Sequence, residues 1–294
     1  MHSAESLSQH QLDKISHHVE CAGAGIGLRI PHIHHVLKHK PNIPWFEVHP
    51  CNFLRGGLNR ELLYRVAENY PLSFHGVNLN LGGIEAINRD YLSRLNTLVK
   101  DLKPSLISDH ACFTKLGSQH FHDLLPIPYT AEAVDHFANR INQVQDLFQQ
   151  SILIENVSRY TEYQESSMNE AAFLTELCKR TGCRILVDLN NAYVNQLNLG
   201  ISVDAFLQEI PSNYVKEIHL AGHSTQGDYI VDTHDHKVSE EVWSIYSKYA
   251  NHYPATPCLI EWDSKLPAFN TLEEERITAE TIFKESQLKA ANSK

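Results

Sequence analysis

Eight short apolar segments alternate with longer amphipathic segments along this chain of 294 residues, and that alternation constrains its fold most strongly. Each short segment is rich in β-branched or aromatic residues and about five residues long, as expected of a buried parallel strand. The segments lie at 25–30, 45–50, 72–77, 105–110, 152–156, 184–190, 215–223 and 258–263. Eight strand–helix repeats in a chain of this length predict an α/β fold, the (β/α)8 TIM barrel.

An open, doubly wound sheet is the alternative architecture for such an alternation. That fold usually carries a glycine-rich phosphate-binding loop after its first strand. Here the first strand leads into Arg-Ile-Pro at 29–31, and no GxGxxG motif follows it. We therefore prefer the barrel, as one domain spanning residues 1–294 with a polar N-terminal extension at residues 1–22.

The segments between the strands have the apolar spacing of amphipathic helices. These helices are predicted around 31–39, 58–69, 88–102, 130–150, 168–181, 202–208 and 239–252, with a last one from about 271. Asn88, Asn169 and Ser239 are suitable N-caps. Two stretches, 111–129 and 221–238, are predicted to be long loops that leave the C-terminal ends of strands, where the active-site loops of a barrel lie.

Composition excludes several classes of function. The net charge is −10 with His neutral, which argues against sequence-independent binding to nucleic acid, because that binding needs many Lys and Arg residues. No apolar run is long enough for a transmembrane helix, and the N-terminus lacks the apolar core of a signal peptide. The six cysteines are scattered without CxxC pairs, as expected of free thiols in a reducing compartment. We therefore expect a cytoplasmic enzyme that binds neither membranes nor nucleic acid.

The carboxyl ends of the third to eighth strands carry acidic or imidazole side chains. These residues are His75, Asp109, His110, Glu155, Asp188, His219 and Glu261. Side chains alternate between the two faces of a strand. Ser73 and His75 therefore lie on the same face of the third strand, and Glu217 and His219 lie on the same face of the seventh. Each strand can therefore point its last polar residue into the mouth of the barrel.

Three carboxylates buried together are costly because of desolvation and like-charge repulsion. Lys and Arg are absent from these six strand ends, so bound cations are the compensation that balances the charge. The loops add candidate ligands at Asn191, His223, Asp232 and His234. Imidazole and carboxylate ligands without Cys pairs fit catalytic iron, manganese or zinc. The number of ligands exceeds what one ion can use, so we predict two or three metal ions with Glu155 as a bridge.

The ordered motifs of the chain resemble those of the multinuclear non-haem iron-dependent oxidative enzymes, long known only as a domain of unknown function. The motifs are GIGLR, WFEVHP, FHGV, SDH, HDLLPIPYT, ILIEN, GCRILVDLNNAYVN, EIHLAGH, DTHDHKV and LIEWD, and the resemblance covers residues from about 23 to 270. It implies a barrel similar to those of xylose isomerase and endonuclease IV. It also implies that cysteine residues of a ribosomally made precursor peptide are oxidised with O2 and mixed-valent Fe2+/Fe3+, often with a separate leader-binding partner protein.

The resemblance also implies roles for individual residues. One ion would take His75, His110 and Glu155; a second would take Glu155, Asp188, His219 and Glu261; a third would take Asn191, Asp232 and His234. His49 and Asp109 would be catalytic residues beside the cluster, either as ligands or just behind them. One departure from the family pattern is Cys51, which follows His49 where an acidic residue is expected. It affects expectations for the reaction product more than for the metal site.

Three other functions are compatible with these ligands. An endonuclease IV-like hydrolase would use the metals to activate water, although the acidic charge balance argues against a DNA substrate. A sugar isomerase or epimerase would use two divalent ions, and a metal-dependent peptide-binding or metal-buffering protein would catalyse nothing.

Overall fold

A computed structural model describes residues 20–292, and its centre is a closed barrel of eight parallel strands. Around the barrel the strands follow the order β1, β12, β9, β8, β7, β4, β3 and β2. They are β1 Ala24–Gly27, β2 Phe46–Val48, β3 Leu72–His75, β4 Leu106–His110, β7 Leu153–Glu155, β8 Arg184–Asp188, β9 Val215–Leu220 and β12 Cys258–Ile260. The predicted TIM barrel is confirmed. Most of the predicted N-terminal extension, at residues 1–19, lies outside the described residues.

The strands are apolar on both faces except near the mouth. Alternate residues such as Ile26, Phe46 and Phe74 pack outward against the helices and are fully buried. The base of the interior is closed by a small cluster of Trp45, Leu259 and Cys21, with Leu106 against it. This apolar plug leaves the opposite, C-terminal end of the interior for polar side chains, as in other TIM barrels.

Nine α-helices surround the barrel in the described part of the chain. They are α1 Ile30–His39, α2 Leu58–Ala67, α3 Arg89–Leu102, α4 Ala131–Phe148, α5 Glu170–Thr181, α6 Leu189–Leu199, α7 Val203–Glu209, α8 Glu240–Tyr249 and α9 Phe269–Asn292. The three predicted N-caps are confirmed: the side chains of Asn88, Asn169 and Ser239 accept hydrogen bonds from the third backbone N–H beyond them. No described helix is long and apolar enough to span a membrane.

Helix α6 was not predicted from the sequence. Four Asn residues lie between positions 190 and 198, and Asn has a low helix propensity. Asp188 ends strand β8 and caps α6 directly, accepting a hydrogen bond from Asn191 N at 2.6 Å. Asn195 and Asn198 hold neighbouring loops instead of competing for their own backbone, since Asn195 binds Arg159 N at 2.6 Å. Tertiary hydrogen bonds therefore override the local preference.

The two predicted long loops are not irregular. Each contains an antiparallel hairpin: β5 Phe113–Leu116 pairs with β6 Gln119–Leu125, and β10 Ser224–Gln226 pairs with β11 Tyr229–Val231. Their side chains are mostly exposed or half-buried, so the alternation of apolar residues that marks the barrel strands is absent. Both hairpins follow the C-terminal ends of barrel strands, as the loops were expected to do.

Candidate metal centre

Two histidines and a glutamate from neighbouring strands meet at the mouth of the barrel. His75 Nε2 lies 3.3 Å, and His110 Nε2 3.0 Å, from the same Glu155 oxygen, Oε2. All three side chains are buried. The parallel register places them side by side, because His75 pairs with Ser108 and His110 pairs with Glu155. These three residues form the first group of potential ligands.

Hydrogen bonds at the other ring nitrogens orient both imidazoles. His110 Nδ1 donates to the carbonyl oxygen of Gly76 at 3.1 Å, so Nε2 is the ring nitrogen that is left to bind a metal when the imidazole is neutral. His75 Nδ1 lies 2.8 Å from Ser108 Oγ, which itself donates to the Phe74 carbonyl at 3.4 Å. A histidine that binds a metal through one ring nitrogen usually has its other ring nitrogen fixed by a hydrogen bond. Both imidazoles have this arrangement.

Glu155 also faces a second group of side chains, contributed by Asp188, His219 and Glu261. Its second oxygen, Oε1, lies 4.0 Å from His219 Nδ1, which is 2.9 Å from Glu261 Oε2. Asp188 uses Oδ1 to cap α6 and has no hydrogen-bond partner for Oδ2 in the described chain. Glu155 therefore stands between two sets of ligand atoms, one facing each carboxylate oxygen.

A third set of potential ligands comes from the loop after β11 and the start of α6. His234 Nε2 lies 2.6 Å from Asp232 Oδ1 and 4.0 Å from Asp188 Oδ2. Its Nδ1 lies 3.2 Å from Glu261 Oε2, which connects this set to the second group. Asn191 donates from Nδ2 to the Asn156 carbonyl, while its buried Oδ1 has no partner among residues 20–292. The predicted residues of all three ions thus form one continuous cluster.

The remaining predicted residues lie around this cluster. His49 Nε2 lies 3.8 Å from Glu261 Oε1, and the side chain is 15% exposed at the mouth. Asp109 points away from the ligands and accepts hydrogen bonds from Leu79 N at 3.1 Å and from His110 N at 2.8 Å. His223 is not brought into contact with the other predicted ligands; its Nδ1 lies 2.8 Å from Asn190 Oδ1.

Sequence reasoning missed two polar residues inside the barrel, Glu47 and Arg29. Glu47 Oε2 lies 2.9 Å from His219 Nε2, and the side chain is fully buried. Glu47 sits in an apolar strand without being its last polar residue, although it shares a face with His49 two positions later. Arg29, just after β1, lies 2.6 Å from Asp263 Oδ1 and 3.4 Å from Glu261 Oε1. It supplies a compensating cation that the six strand ends lack.

Burial and mutual repulsion shift the pKa values of the acidic groups. Burial raises the pKa of Asp188 well above its usual value and that of Glu217 to about 7. Burial alone lowers the pKa of His110, but the Glu155 carboxylate outweighs it and raises the pKa to about 9. His219 follows the same pattern, with Glu261 and Glu47 outweighing the effect of burial on its pKa. Positive charge is therefore favoured in the cluster.

The donor atoms fit bound metal ions. Two buried oxygens beside the cluster have no hydrogen-bond partner in the described chain: Asp188 Oδ2 and Asn191 Oδ1. Arg29 reaches Glu47, Glu261 and Asp263, but Glu155, Asp188 and Glu217 have no Lys or Arg partner among residues 20–292. Buried, unpaired lone pairs are costly unless a cation lies between them. Nitrogen and oxygen donors without thiolates suit iron, manganese or zinc.

Solved structures with similar folds are TIM-barrel enzymes. The chain is similar to an L-ribulose 3-epimerase, with a TM-score of 0.57 and 12% identity over 93% of this chain and 96% of the other. Endonuclease IV from Thermus thermophilus gives a TM-score of 0.54 and 14% identity, covering 91% of this chain and 100% of that one. The predicted likeness to the xylose isomerase and endonuclease IV barrels is confirmed at the level of fold.

Similarity in sequence is much stronger to relatives from bacteria. A UPF0276 protein of Vibrio vulnificus (strain YJ016) is 43% identical over 269 residues, which cover 90% of this chain and 92% of the relative. A UPF0276 protein of Chromobacterium violaceum is 43% identical over 259 residues, covering 88% and 94%. The family model described as RiPP precursor modification enzyme MbnB/TglH/ChrH matches residues 23–284. This match spans the barrel and the whole cluster of candidate metal ligands, and the chain therefore belongs to the MbnB/TglH/ChrH family of RiPP precursor modification enzymes.

Proposed function

We propose that this enzyme oxidises cysteine residues of a ribosomally synthesised precursor peptide, with two or three iron ions in mixed Fe2+/Fe3+ valence and O2 as co-substrate. Membership of a family of RiPP precursor modification enzymes supports a peptide substrate. The single observation that carries the metal part is the position of Glu155, whose two carboxylate oxygens face different sets of ligand atoms. A partner protein that binds the leader of the peptide is part of the same proposal.

The proposed ligands follow the three sets of side chains at the mouth. The first ion would be held by His75, His110 and Glu155, the second by Glu155, Asp188, His219 and Glu261, and the third by Asn191, Asp232 and His234. His223 was included among the predicted ligands; we propose that it acts through Asn190, which donates to Asp232 Oδ1 at 2.6 Å. When bound, iron would supply a Lewis acid for a substrate thiol and a redox centre that passes electrons from the substrate cysteine to O2.

His49 is the side chain best suited to handle the proton of a substrate thiol. Its Nε2 has no hydrogen-bond partner in the described chain, and its ring is partly exposed at the mouth. The carboxylates of Glu261 and Asp263, 3.8 and 3.7 Å away, would stabilise the imidazolium that results from taking up the proton. We therefore propose that His49 accepts the thiol proton and keeps it close to the cluster.

Asp109 was predicted to be catalytic, and its contacts support a positioning role in catalysis. Its carboxylate accepts the backbone N–H groups of Leu79 and His110, which hold the loop after β3 against the end of β4. Its Oδ2 also fills the space beside Gly76, where an added Cβ would approach that oxygen to 2.5 Å. We propose that Asp109 acts on the reaction through the position of His110.

Metal content and O2 consumption test this function together. Protein loaded anaerobically with Fe2+ is expected to hold two or three iron ions per chain and to consume O2 when a Cys-containing peptide is added. A matched peptide with Ser in place of Cys is the control and is expected to leave O2 consumption at its background rate. Failure to retain iron, or equal O2 consumption with both peptides, would contradict the proposal.

The alternative functions make different predictions for the same preparation. An endonuclease IV-like hydrolase would cleave a duplex with an abasic site in the absence of O2, and a sugar isomerase would convert an aldose under the same conditions. The likeness to structures of those enzymes is 12–14% in sequence and therefore supports the fold alone. Turnover of either substrate without O2 would replace the proposed oxidation with the corresponding reaction.

A further inference from the structure

A cavity of about 380 Å³ opens beside the metal-ligand cluster and is not part of it. Its walls come from three segments at the mouth: the turn after β2 with Cys51, the loop between β3 and α3 with Asn78, and the β5–β6 hairpin with Lys115. We call this cavity the side cleft. Its volume lies in the range of ligand-binding pockets and is large enough for a short stretch of peptide.

Hydrogen bonds between its walls make the side cleft a preformed feature. Asn80, in the loop between β3 and α3, accepts the N–H of Thr114 in β5 at 2.7 Å. Buried Arg140 of α4 donates to the carbonyl oxygens of Glu85 and Asn80, at 2.7 and 3.0 Å. Leu79 is tied to Asp109 at the end of β4. Because the loop between β3 and α3 is bonded to the hairpin, to α4 and to the end of β4, these two walls require little ordering when a ligand binds.

The lining of the side cleft carries a net positive charge, whereas the chain as a whole carries a net negative charge. The chain as a whole has 25 Lys and Arg against 35 Asp and Glu. The basic residues that line the cleft are Arg55, Arg94, Lys115 and Arg140, and the acidic ones are Glu85 and Asp90. Asp90 is already paired with Arg94 at 3.0 Å, whereas Arg55 forms no ion pair within residues 20–292. Four basic against two acidic residues give the cleft a net positive charge, which favours anions.

Two residues that line the side cleft, Cys51 and Leu79, lie close to residues at the mouth of the barrel. Cys51 lines the cleft and stands two residues after His49, whose carbonyl oxygen accepts the N–H of Asn52 at 3.2 Å. On the opposite wall, Leu79 N donates a hydrogen bond to Asp109, the residue that precedes His110.

We propose that the side cleft binds an acidic segment of the precursor peptide next to the cysteine that is modified. This inference rests on the proposed function, since it assigns the sequence class of the peptide that the metal cluster oxidises. Arg55 and Lys115 attract the Glu or Asp side chains of the segment, while the tied walls hold its backbone near His49. Nucleic acid is a poorer match, because the overall charge of −10 repels a polyanion that extends beyond the cleft.

Binding of two labelled peptides to the full-length, metal-loaded protein tests this proposal. The acidic probe is fluorescein-Glu-Glu-Gly-Cys-Gly-Glu-Glu, and the neutral probe has Gln in place of each Glu. By fluorescence anisotropy at low salt, we expect the acidic probe to bind about tenfold more tightly, because several charges on each side contribute. Equal affinity for the two probes would overturn the proposal.

Charge-reversal variants locate the effect. The double variant R55E/K115E is expected to lose the preference for the acidic probe. The control R65E/K216E changes the charge equally at exposed positions at the base of the barrel and is expected to keep the preference. Loss of the preference in the control as well, or tighter binding of a labelled single-stranded oligonucleotide than of the acidic probe, would contradict a peptide site in the cleft.

The proposed function and this inference fail in different ways. O2 consumption that is equally fast with both probes, together with equal affinities, would overturn the acidic-segment proposal and leave cysteine oxidation intact. Absence of O2 consumption with either probe, combined with a preference that R55E/K115E removes, would overturn the oxidation and keep the site in the cleft.

Discussion

The proposed metal-ligand cluster has a strand-borne half and a loop-borne half, and they are held in different ways. His75, His110 and Glu155 are buried residues at the ends of barrel strands, and the register of the sheet sets their spacing. Asp232 and His234 lie in the loop after β11, and His234 adopts a positive φ of 44°. That backbone conformation is uncommon for a residue with a side chain and needs support from its surroundings.

The support of the loop-borne half consists of hydrogen bonds. His234 N donates to the Gly222 carbonyl at 3.1 Å, and Asp263 N donates to the His234 carbonyl at 2.8 Å. Gly222 approaches this loop so closely that an added Cβ would lie 2.2 Å from the His236 carbonyl oxygen. The strands therefore hold the proposed bridging carboxylate rigidly, while the loop would add a further site at a cost in backbone strain.

The largest expected effect is that of Glu155→Gln, which removes charge from the shared centre. We expect the variant to lose more than one metal ion per chain, because both sets of ligands use this carboxylate. Elemental analysis of the purified, metal-loaded protein measures the loss. Glu165→Gln, an exposed change on the segment between β7 and α5, is the matched control and should retain all metal.

Removing a loop-borne ligand is expected to have about half that effect. His234→Ala should lose about one metal ion and leave the strand-borne half loaded, because His75 and His110 do not depend on the loop. The same elemental analysis applies. Equal losses of a single ion in the Glu155 and His234 variants would contradict a bridging Glu155 and thus remove the distinction between the two halves.

A smaller effect is expected for Glu47, which contacts a ligand without belonging to the predicted set. Glu47→Gln should weaken binding of the second ion by about 10- to 100-fold, as is typical when a carboxylate behind a ligating histidine is changed. Competition with a chelator of known affinity measures this change. Unaltered affinity would show that Glu47 does not orient His219, and complete loss of one ion would make Glu47 itself a ligand.

Removing a hydrogen bond that supports the loop is expected to have a still smaller effect on metal affinity. Asp235 accepts a hydrogen bond from Ser224 Oγ at 2.9 Å and pairs with Lys265 at 2.5 Å. Asp235→Asn should therefore lower affinity for the third ion by about tenfold or less, without affecting the strand-borne half. Asp228→Asn, at the exposed tip of the hairpin, is the control. An equal loss of affinity at all sites would mean that the halves are not held independently.

The smallest expected effect is a change in thermal stability with pH. The pKa of His110 is raised from 6.5 to about 9 in the folded chain. Its contribution to stability is complete below pH 6.5 and is lost as the pH rises through about 9. Chelator-treated protein should therefore lose a few degrees of Tm over this range, whereas metal-loaded protein, with neutral ligating imidazoles, should not. His110→Gln should flatten the slope of the metal-free protein; an unchanged slope would exclude His110 as its source.

The strand-borne half was predictable because strand alternation and barrel topology together decide where a side chain points. A polar residue at the end of an apolar strand is expected to point into the mouth of the barrel. His75, His110 and Glu155 could therefore be grouped from the sequence alone. Glu47 obeys the same alternation, and the pairing of Glu47 with His49 on one face was the signal that could have found it. Arg29 follows a strand without any pattern, and its contact with Glu261 depends on tertiary structure.

The loop-borne half and α6 were harder to predict for a physical reason. The conformation of the 221–238 segment depends on bonds to distant residues, such as Asp263 and Lys265, which leave no local pattern. Asn198 likewise binds both backbone groups of Ile230, so helix α6 and β11 stabilise each other. Local propensity is informative where packing repeats regularly, and it fails where single long-range hydrogen bonds decide the backbone.

The most direct test of the bridged cluster is anomalous scattering at the iron edge from crystals of iron-loaded protein. We predict two or three iron peaks inside the mouth of the barrel, two of them on opposite sides of the Glu155 carboxylate. Peaks confined to one side of Glu155, or iron bound away from the strand ends while the mouth stays metal-free, would contradict a bridged cluster.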